Sequence, residues 1–133
     1  MQVEIFALCD AATDQQGKLN ILGTFDTLAA QQAPVAHPQC AVALRIRFNR
    51  IESGAHRIQI GIVNADGQPV VPTVETAANV QMNPPADSSS INAIINLQRI
   101  QFPAFGRYSI DLAIDGRQEG SLPLFVRQVP QAA

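Results

Sequence analysis

The chain has no tryptophan, only two cysteines and a single lysine, Lys18, and each scarcity narrows the reading. Cys9 and Cys40 are too few for a disulfide framework of the kind that holds small secreted domains together. Met1-Gln2-Val3-Glu4 offers no basic leader region, and the apolar run Ile5 to Cys9 is too short for a signal core, so the expected compartment is the cytoplasm, with both thiols reduced. Nine basic residues against eleven acidic ones give a net charge of −2, and the pI is near 5.5. That balance excludes a nucleic-acid surface, which needs concentrated positive charge to displace counterions. No stretch approaches the roughly 18 apolar residues of a membrane-spanning helix, so no membrane partner is expected. A sustained 3.6-residue period is missing as well, which leaves little room for helix.

What remains is a chain of 133 residues, 47% hydrophobic, in which Val, Ile, Leu and Phe recur in short blocks separated by Gly, Pro, Asn and Asp. The length suits one domain over residues 1–133 with a core of its own. The spacing predicts a first strand from about Gln2 to Leu8, a polar connection from Asp10 to Gly17, and a second strand with Leu19, Ile21 and Phe25 on one side. Gly23 interrupts that strand as a bulge or close backbone approach, and Pro34 and Pro38 end the region. Val42, Leu44, Ile46 and Phe48 then alternate with Ala41, Ala43, Arg45 and Arg47, which predicts one core face and one wet face. Ile51 to Gly54 turns the chain, and Ile58, Ile60 and Ile62 line a partner strand. Asp66-Gly67 marks a hairpin turn, Pro69 and Pro72 mark an edge strand or loop over Val70 to Met82, and Asn83 to Ser90 is a connection. Ile91, Ala93, Ile95 and Leu97 alternate as a strand, although Ser90 could also cap a helix. Tyr108, Ile110, Leu112 and Ile114 face inward, Asp115-Gly116 turns, and Leu122, Leu124 and Val126 complete a last strand that Pro123 places near an edge or bulge. Val129 to Ala133 reads as a frayed tail.

Two resemblances follow from particular runs. Val3-Glu4-Ile5-Phe6-Ala7-Leu8-Cys9-Asp10-Ala11-Ala12, Gly17-Lys18-Leu19-Asn20-Ile21-Leu22-Gly23-Thr24-Phe25-Asp26 and His37-Pro38-Gln39-Cys40 together resemble a family of small uncharacterised bacterial proteins. That resemblance spans nearly the whole chain and implies no catalytic or binding residues. In the C-terminal half, Ile95, Leu97, a phase shift to Ile100, Pro103, Gly106 and Tyr108 resemble the corner between strands E and F of immunoglobulin-like sandwiches, where a tyrosine hydroxyl turns back to the backbone. An antibody domain would carry cysteine where this chain has Ile110, and would carry tryptophan. The expected fold is an all-β, immunoglobulin-like Greek-key sandwich of about seven to nine strands.

Candidate chemistry is sparse. His37-Pro38-Gln39-Cys40 with Cys9 could present ligands to zinc, or a Cys–His pair could act as a nucleophile. The plainer reading buries the cysteines as small hydrophobes and leaves His37 in a solvent-facing loop; His56 is the one other imidazole. Asp10, Asp14 and Asp26 could converge on calcium, but turn and cap chemistry accounts for them. Gly17-Lys18 lacks the rest of a phosphate loop, and Gly120-Ser121 lies inside a strand rather than a nucleophile elbow. Arg45, Arg47, Arg50 and Arg57, gathered across one hairpin, form either a basic patch or cross-strand ion pairs; the immunoglobulin resemblance, in which strands C and F are neighbours, implies Asp111 opposite Arg45 or Arg47.

No catalytic, cofactor-binding or metal site is therefore assigned. The expected function is a non-enzymatic cytosolic binding or assembly module acting through a sheet face or edge. An enzyme or metal-dependent protein using Cys9, Cys40 and His37 stands as the alternative. A homo-oligomer, most simply a twofold dimer, is expected because little blunts the strand edges and because Phe6 and Leu8 lie opposite in parity to Val3, Ile5 and Ala7. One of those two sets needs cover from a second subunit or from a loop such as Ala29 to Pro38.

Overall fold

A computed structural model describes residues 1–130. Its strands are β1 (Gln2–Gln15), β2 (Lys18–Thr24), β3 (Thr27–Ala30), β4 (Val35–Asn49), β5 (Gly54–Asn64), β6 (Val74–Val80), β7 (Ser88–Phe102), β8 (Gly106–Ile114) and β9 (Arg117–Gln128). Among the described residues, helix is confined to one 3-10 turn, Arg50–Glu52, at the tip of the β4–β5 connection. The expected all-β architecture, with nine strands, is what the chain adopts. One sheet has the order β2-β1-β4-β7 and the other β3-β9-β8-β5-β6.

The two sheets share one apolar core. Val42, Leu44, Ile46 and Phe48 of β4 meet Ile58, Ile60 and Ile62 of β5 and Ile110 and Leu112 of β8, all at most 1% exposed. Strict alternation puts every second side chain of these strands on one face, and burying such branched aliphatics is the main stabilising term of the fold. The strand over Ile91 to Leu97 is confirmed as β7, with no helix after Ser90. Asp66-Gly67 does turn the chain, with Gly67 at φ +80°. β6 is an edge strand, as Pro69 and Pro72 suggested.

Several expectations are corrected. β1 does not stop at Leu8: it runs to Gln15, and the chain reverses only at Gln16 and Gly17, both at positive φ. The predicted polar connection is therefore the outer half of a hairpin, since polar side chains suit a strand with a solvated face. Pro38 does not end a segment but sits inside β4 opposite Arg99 of β7. There both strands shift phase together, from Cys40 to Val35 on β4 and from Leu97 to Ile100 on β7, while the register continues. Arg99 at φ +55° makes that shift on its strand. β5 is not paired with β4; its neighbours are β6 and β8, in the other sheet.

The parity conflict in β1 resolves by a bulge between Val3 and Ile5. One extra residue moves the phase, so Val3, Phe6 and Leu8 lie opposite Ile46, Leu44 and Val42 on the core side. Ile5, Ala7 and Cys9 fall on the outer side, opposite Arg45, Ala43 and Ala41. That outer face is not simply wet. Cys9, Ala41 and Ala43, none above 1% exposed, form a second cluster beneath Ala12, Leu19, Ile21 and Ile94. The cover comes from the β1–β2 hairpin, whose tip reaches β7: Asn92 Nδ2 donates to Asp14 Oδ2 (3.2 Å) and to the Gly17 carbonyl (3.1 Å). It does not come from Ala29 to Pro38.

The corner after β7 forms as the spacing implied. Tyr108 Oη donates to the Ala104 carbonyl at 2.6 Å, and its ring meets Phe102 edge-on with centroids 4.9 Å apart. Of the tail expected over Val129 to Ala133, Val129 is held, its amide donating to the Ala30 carbonyl at 3.0 Å, and residues 131–133 lie outside the described residues.

Candidate functional site

The residues considered for chemistry are dispersed. Cys9 belongs to the outer cluster, with Sγ donating to the Ala41 carbonyl (3.5 Å), whereas Cys40 belongs to the main core on the opposite face of the same sheet. Burial pushes the Cys9 thiol up and pushes Cys40 to about 11, so neither is poised as a thiolate at neutral pH. His37 packs against Phe25 (5.5 Å between ring centroids), and its Nε2 is buried without a hydrogen-bond partner. Among the described residues, no three His, Cys, Asp or Glu side chains are placed to hold a metal ion. The aspartates do turn and close-contact work. Asp14 Oδ1 accepts from the Gly17 amide (2.9 Å), and Asp26 Oδ1 accepts from Thr27 Oγ1 (2.8 Å). Asp10 lies over Gly23, where a Cβ would fall 2.6 Å from its Oδ2, so the close approach predicted at Gly23 is real.

The arginines form ion pairs, but with other partners than expected. Glu4, on the outer side of β1, accepts from Arg45 Nε (3.1 Å) and Arg47 Nε (3.0 Å), and these two guanidinium groups hold its carboxyl below the usual range. Arg57 faces Glu75 at 3.8 Å and Arg50 faces Asp87 at 3.7 Å. The group is therefore split between the two sheets rather than gathered on one hairpin. Asp111 is in the second sheet, accepting from Ser109 and Ser121, and does not oppose Arg45 or Arg47.

One histidine arrangement was not legible in the sequence. His56 Nδ1 lies 2.6 Å from Asp115 Oδ2, its Nε2 donates to the Glu52 carbonyl, and its ring stacks on Phe48. Burial alone would lower its pKa, but the Asp115 carboxylate and the Glu52 carbonyl outweigh that and raise it above 6.5. With acceptors at both ring nitrogens, the imidazolium is a clamp and has no free nitrogen to serve as a base.

The sheet edges are more informative. The first half of β1 has a free flank beside a groove of about 470 Å³ lined by Phe6, Leu8, Phe25 and Leu122, but the bulge interrupts that edge. β6 is short and carries Glu75. β9 is covered by β3 only from Phe125 to Gln128. Because Phe125 donates its amide to the Asp26 carbonyl on that flank (2.7 Å), alternation aims the backbone of Pro123 the same way, at a position where a donor is missing. Arg117 and Glu119 add charge to the open stretch. The expectation that little blunts the last strand is thus corrected.

β7 differs from all of these. It ends its sheet, is 15 residues long, and from Ser88 to Gln98 contains no charge, no proline and no glycine. The direction of its backbone groups can be followed across the sheet. Leu8 accepts from the Phe25 amide, so its peptide groups face away from β4; alternation then points Ala41 to β1, Val42 to β7, and Ile95 back to β4. The Arg50 amide, donating to the Asp87 carbonyl at 3.0 Å, continues the same ladder. Hence Ser88, Ser90, Asn92, Ile94, Asn96 and Gln98 turn their N–H and C=O groups to the open flank. Such a row is a template for an added strand.

A sequence profile described as a family of unknown function (DUF6941) matches residues 4–127. The chain belongs to DUF6941. No curated protein matches the chain. Membership in DUF6941 agrees with the family resemblance carried by the N-terminal runs, and the matched span includes the whole of β7, its corner and Tyr108. Among the described residues, no helix is long and apolar enough to cross a membrane.

Proposed function

We propose that this DUF6941 protein is a non-enzymatic, cytosolic binding or assembly module whose working surface is the open flank of β7. The observation that carries the reading is the uncharged, proline-free run Ser88 to Gln98 at the end of a sheet, while the free flanks of β1, β6 and β9 each carry a bulge, a charge or a proline. Strand addition gives affinity through main-chain hydrogen bonds and needs no catalytic group. The enzyme alternative gains nothing from Cys9, Cys40 and His37, since the two thiols sit on opposite faces of one sheet. A cytosolic setting fits two thiols so separated, because the fold uses no bridge between them.

The architecture we read as an immunoglobulin-like Greek-key sandwich. What supports this is the placement of β4 and β7 in one sheet and β5, β8 and β9 in the other, β3 parallel beside β9, and the Tyr108 corner between the sheets. Asn96→Pro tests the function. The Asn96 amide faces outward, so the substitution removes no bond within the sheet but blunts the edge as Pro123 does on β9. In extract from the native cell the wild-type protein is expected to run well above its 14.3 kDa mass and Asn96→Pro to shift toward it. A wild-type chain running as a monomer, or a complex that Asn96→Pro leaves intact, would defeat the reading.

A further inference from the structure

We infer that the strand accepted by β7 is β7 of a second copy of this chain, paired antiparallel about a twofold axis at Ala93. The inference rests on the reading of β7 as the working edge and adds its occupant and register. An antiparallel pair of identical strands places residue i opposite residue 2c − i, where c is the residue on the axis. Opposite positions then always share parity, so outward-facing backbone groups meet outward-facing ones in any such register.

Charge selects among the registers. The run Ser88 to Gln98 is neutral, so two copies can lie side by side without like charges meeting, and it is bounded by one acid and one base, Asp87 and Arg99. Only with Ala93 on the axis does Asp87 of each copy stand opposite Arg99 of the other, since 87 and 99 are equidistant from 93. The Asp87 side chain is 98% exposed and held only by a 3.7 Å approach from Arg50, and Arg99 is exposed, so both are free to meet a partner. In the same register the outward-facing pairs are Asn92 with Ile94, Ser90 with Asn96 and Ser88 with Gln98. Each can exchange two main-chain hydrogen bonds. On the core side Ile91 stands opposite Ile95 of the second copy and Ala93 opposite itself; Ile91, Ala93 and Ile95 already pack with the main core. The two four-stranded sheets join into one continuous sheet whose apolar face runs across the axis.

A charge-swap series on the purified protein, followed by sedimentation equilibrium, tests the register. Asp87→Arg and Arg99→Asp each turn two attractive pairs into two repulsive ones and are expected to weaken the dimer about tenfold. The double swap D87R/R99D restores the attraction and with it the wild-type association. Both sites tolerate the change: Asp87 is solvated, and aspartate adopts the left-handed backbone of position 99 more readily than arginine does. Thermal unfolding of each variant confirms that it is folded. Single swaps without effect, or a double swap without rescue, overturn the Ala93 register. A purified wild-type protein that stays monomeric into the tens of micromolar overturns the second copy as occupant. Neither result decides the broader reading, which the Asn96→Pro comparison in cell extract judges separately.

Discussion

β7 and β9 are long strands from opposite sheets, each with a flank that its own sheet leaves open, and they are finished differently. β9 receives β3 along its last four paired positions, a proline at an outward amide position, and Arg117 and Glu119 along the open stretch. β7 receives none of these over eleven residues, Ser88 to Gln98. Both strands carry equally well-buried core faces, Ile95 and Leu97 on one, Leu124 and Val126 on the other. Edge composition is therefore set independently of what the core demands. The comparison teaches that β7 is bare at positions where substitution is free, which is why it, rather than the groove beside β9, is assigned the working role.

The comparison is broken most severely at Gly120. A Cβ there would fall 2.9 Å from Phe6 Cδ2, the contact that ties the open half of β9 to β1 across the sheets. Gly120→Val is expected to lower stability by about 2 kcal/mol through overpacking, read as a shift of the urea midpoint. A wild-type midpoint would mean that Phe6 does not hold that side shut. Next comes the corner that fastens the end of β7 to β8. Tyr108→Phe removes the bond to the Ala104 carbonyl and should cost about 1 kcal/mol while leaving the Ser88 to Gln98 edge unaltered. Coincident unfolding curves would count against the corner.

A pH series supplies a region that belongs to neither edge. The raised pKa of His56 makes its contribution fully present below about 6.5, and it is lost as pH climbs through the folded-state value. The Arg57 amide and His56 hold Asp115 below 3.8, so its share is present above that value and lost as pH falls through the depressed folded-state value. Thermal stability should consequently decline from pH 6 to pH 8 in the wild type and decline less in His56→Gln. Equal slopes in the two proteins would remove the clamp from the account. The smallest effect on stability is expected at Pro123. Pro123→Thr restores an outward amide and should change unfolding by no more than about 0.5 kcal/mol, yet it sharpens the comparison by giving β9 a donor. Association beyond whatever size the wild-type protein shows, seen by light scattering at high concentration, is the expected result. An unchanged size distribution would show that Pro123 is not what keeps β9 unpaired.

Much of the inner architecture was legible because alternation is local. Val42 through Phe48, Ile58 through Ile62 and Tyr108 through Ile114 each declared a core face, and the spacing around Pro103 and Gly106 declared a corner. What could not be read was anything that depends on strand order. The run Ser88 to Gln98 is plainly uncharged in the sequence, but only the sheet topology makes it an edge. His56 and Asp115 are 59 residues apart, and nothing near either one names the other. The bulge between Val3 and Ile5 left a visible trace as a conflict of parity. The sequence reading assigned that conflict to cover from a second subunit or from the Ala29 to Pro38 loop, whereas one inserted residue and the β1–β2 hairpin resolve it.

The parallel pairing of β3 with β9 also carries a consequence for how the molecule is made. Among the described residues Thr27–Ala30 pairs with Phe125–Gln128, part of a strand made after the other eight, and that same strand lies between β3 and β8 in its sheet. A nascent chain halted after β8 can assemble β1, β2, β4 and β7 while the facing sheet still lacks β9, the strand that joins β3 to β8. Such topology, dominated by pairings between distant segments, folds slowly and exposes apolar surface in the interim. Translation itself therefore sets how long the unguarded strand Ser88–Phe102 stands beside an unfinished core, and crowding several nascent copies on one message would bring those strands together before any copy is complete.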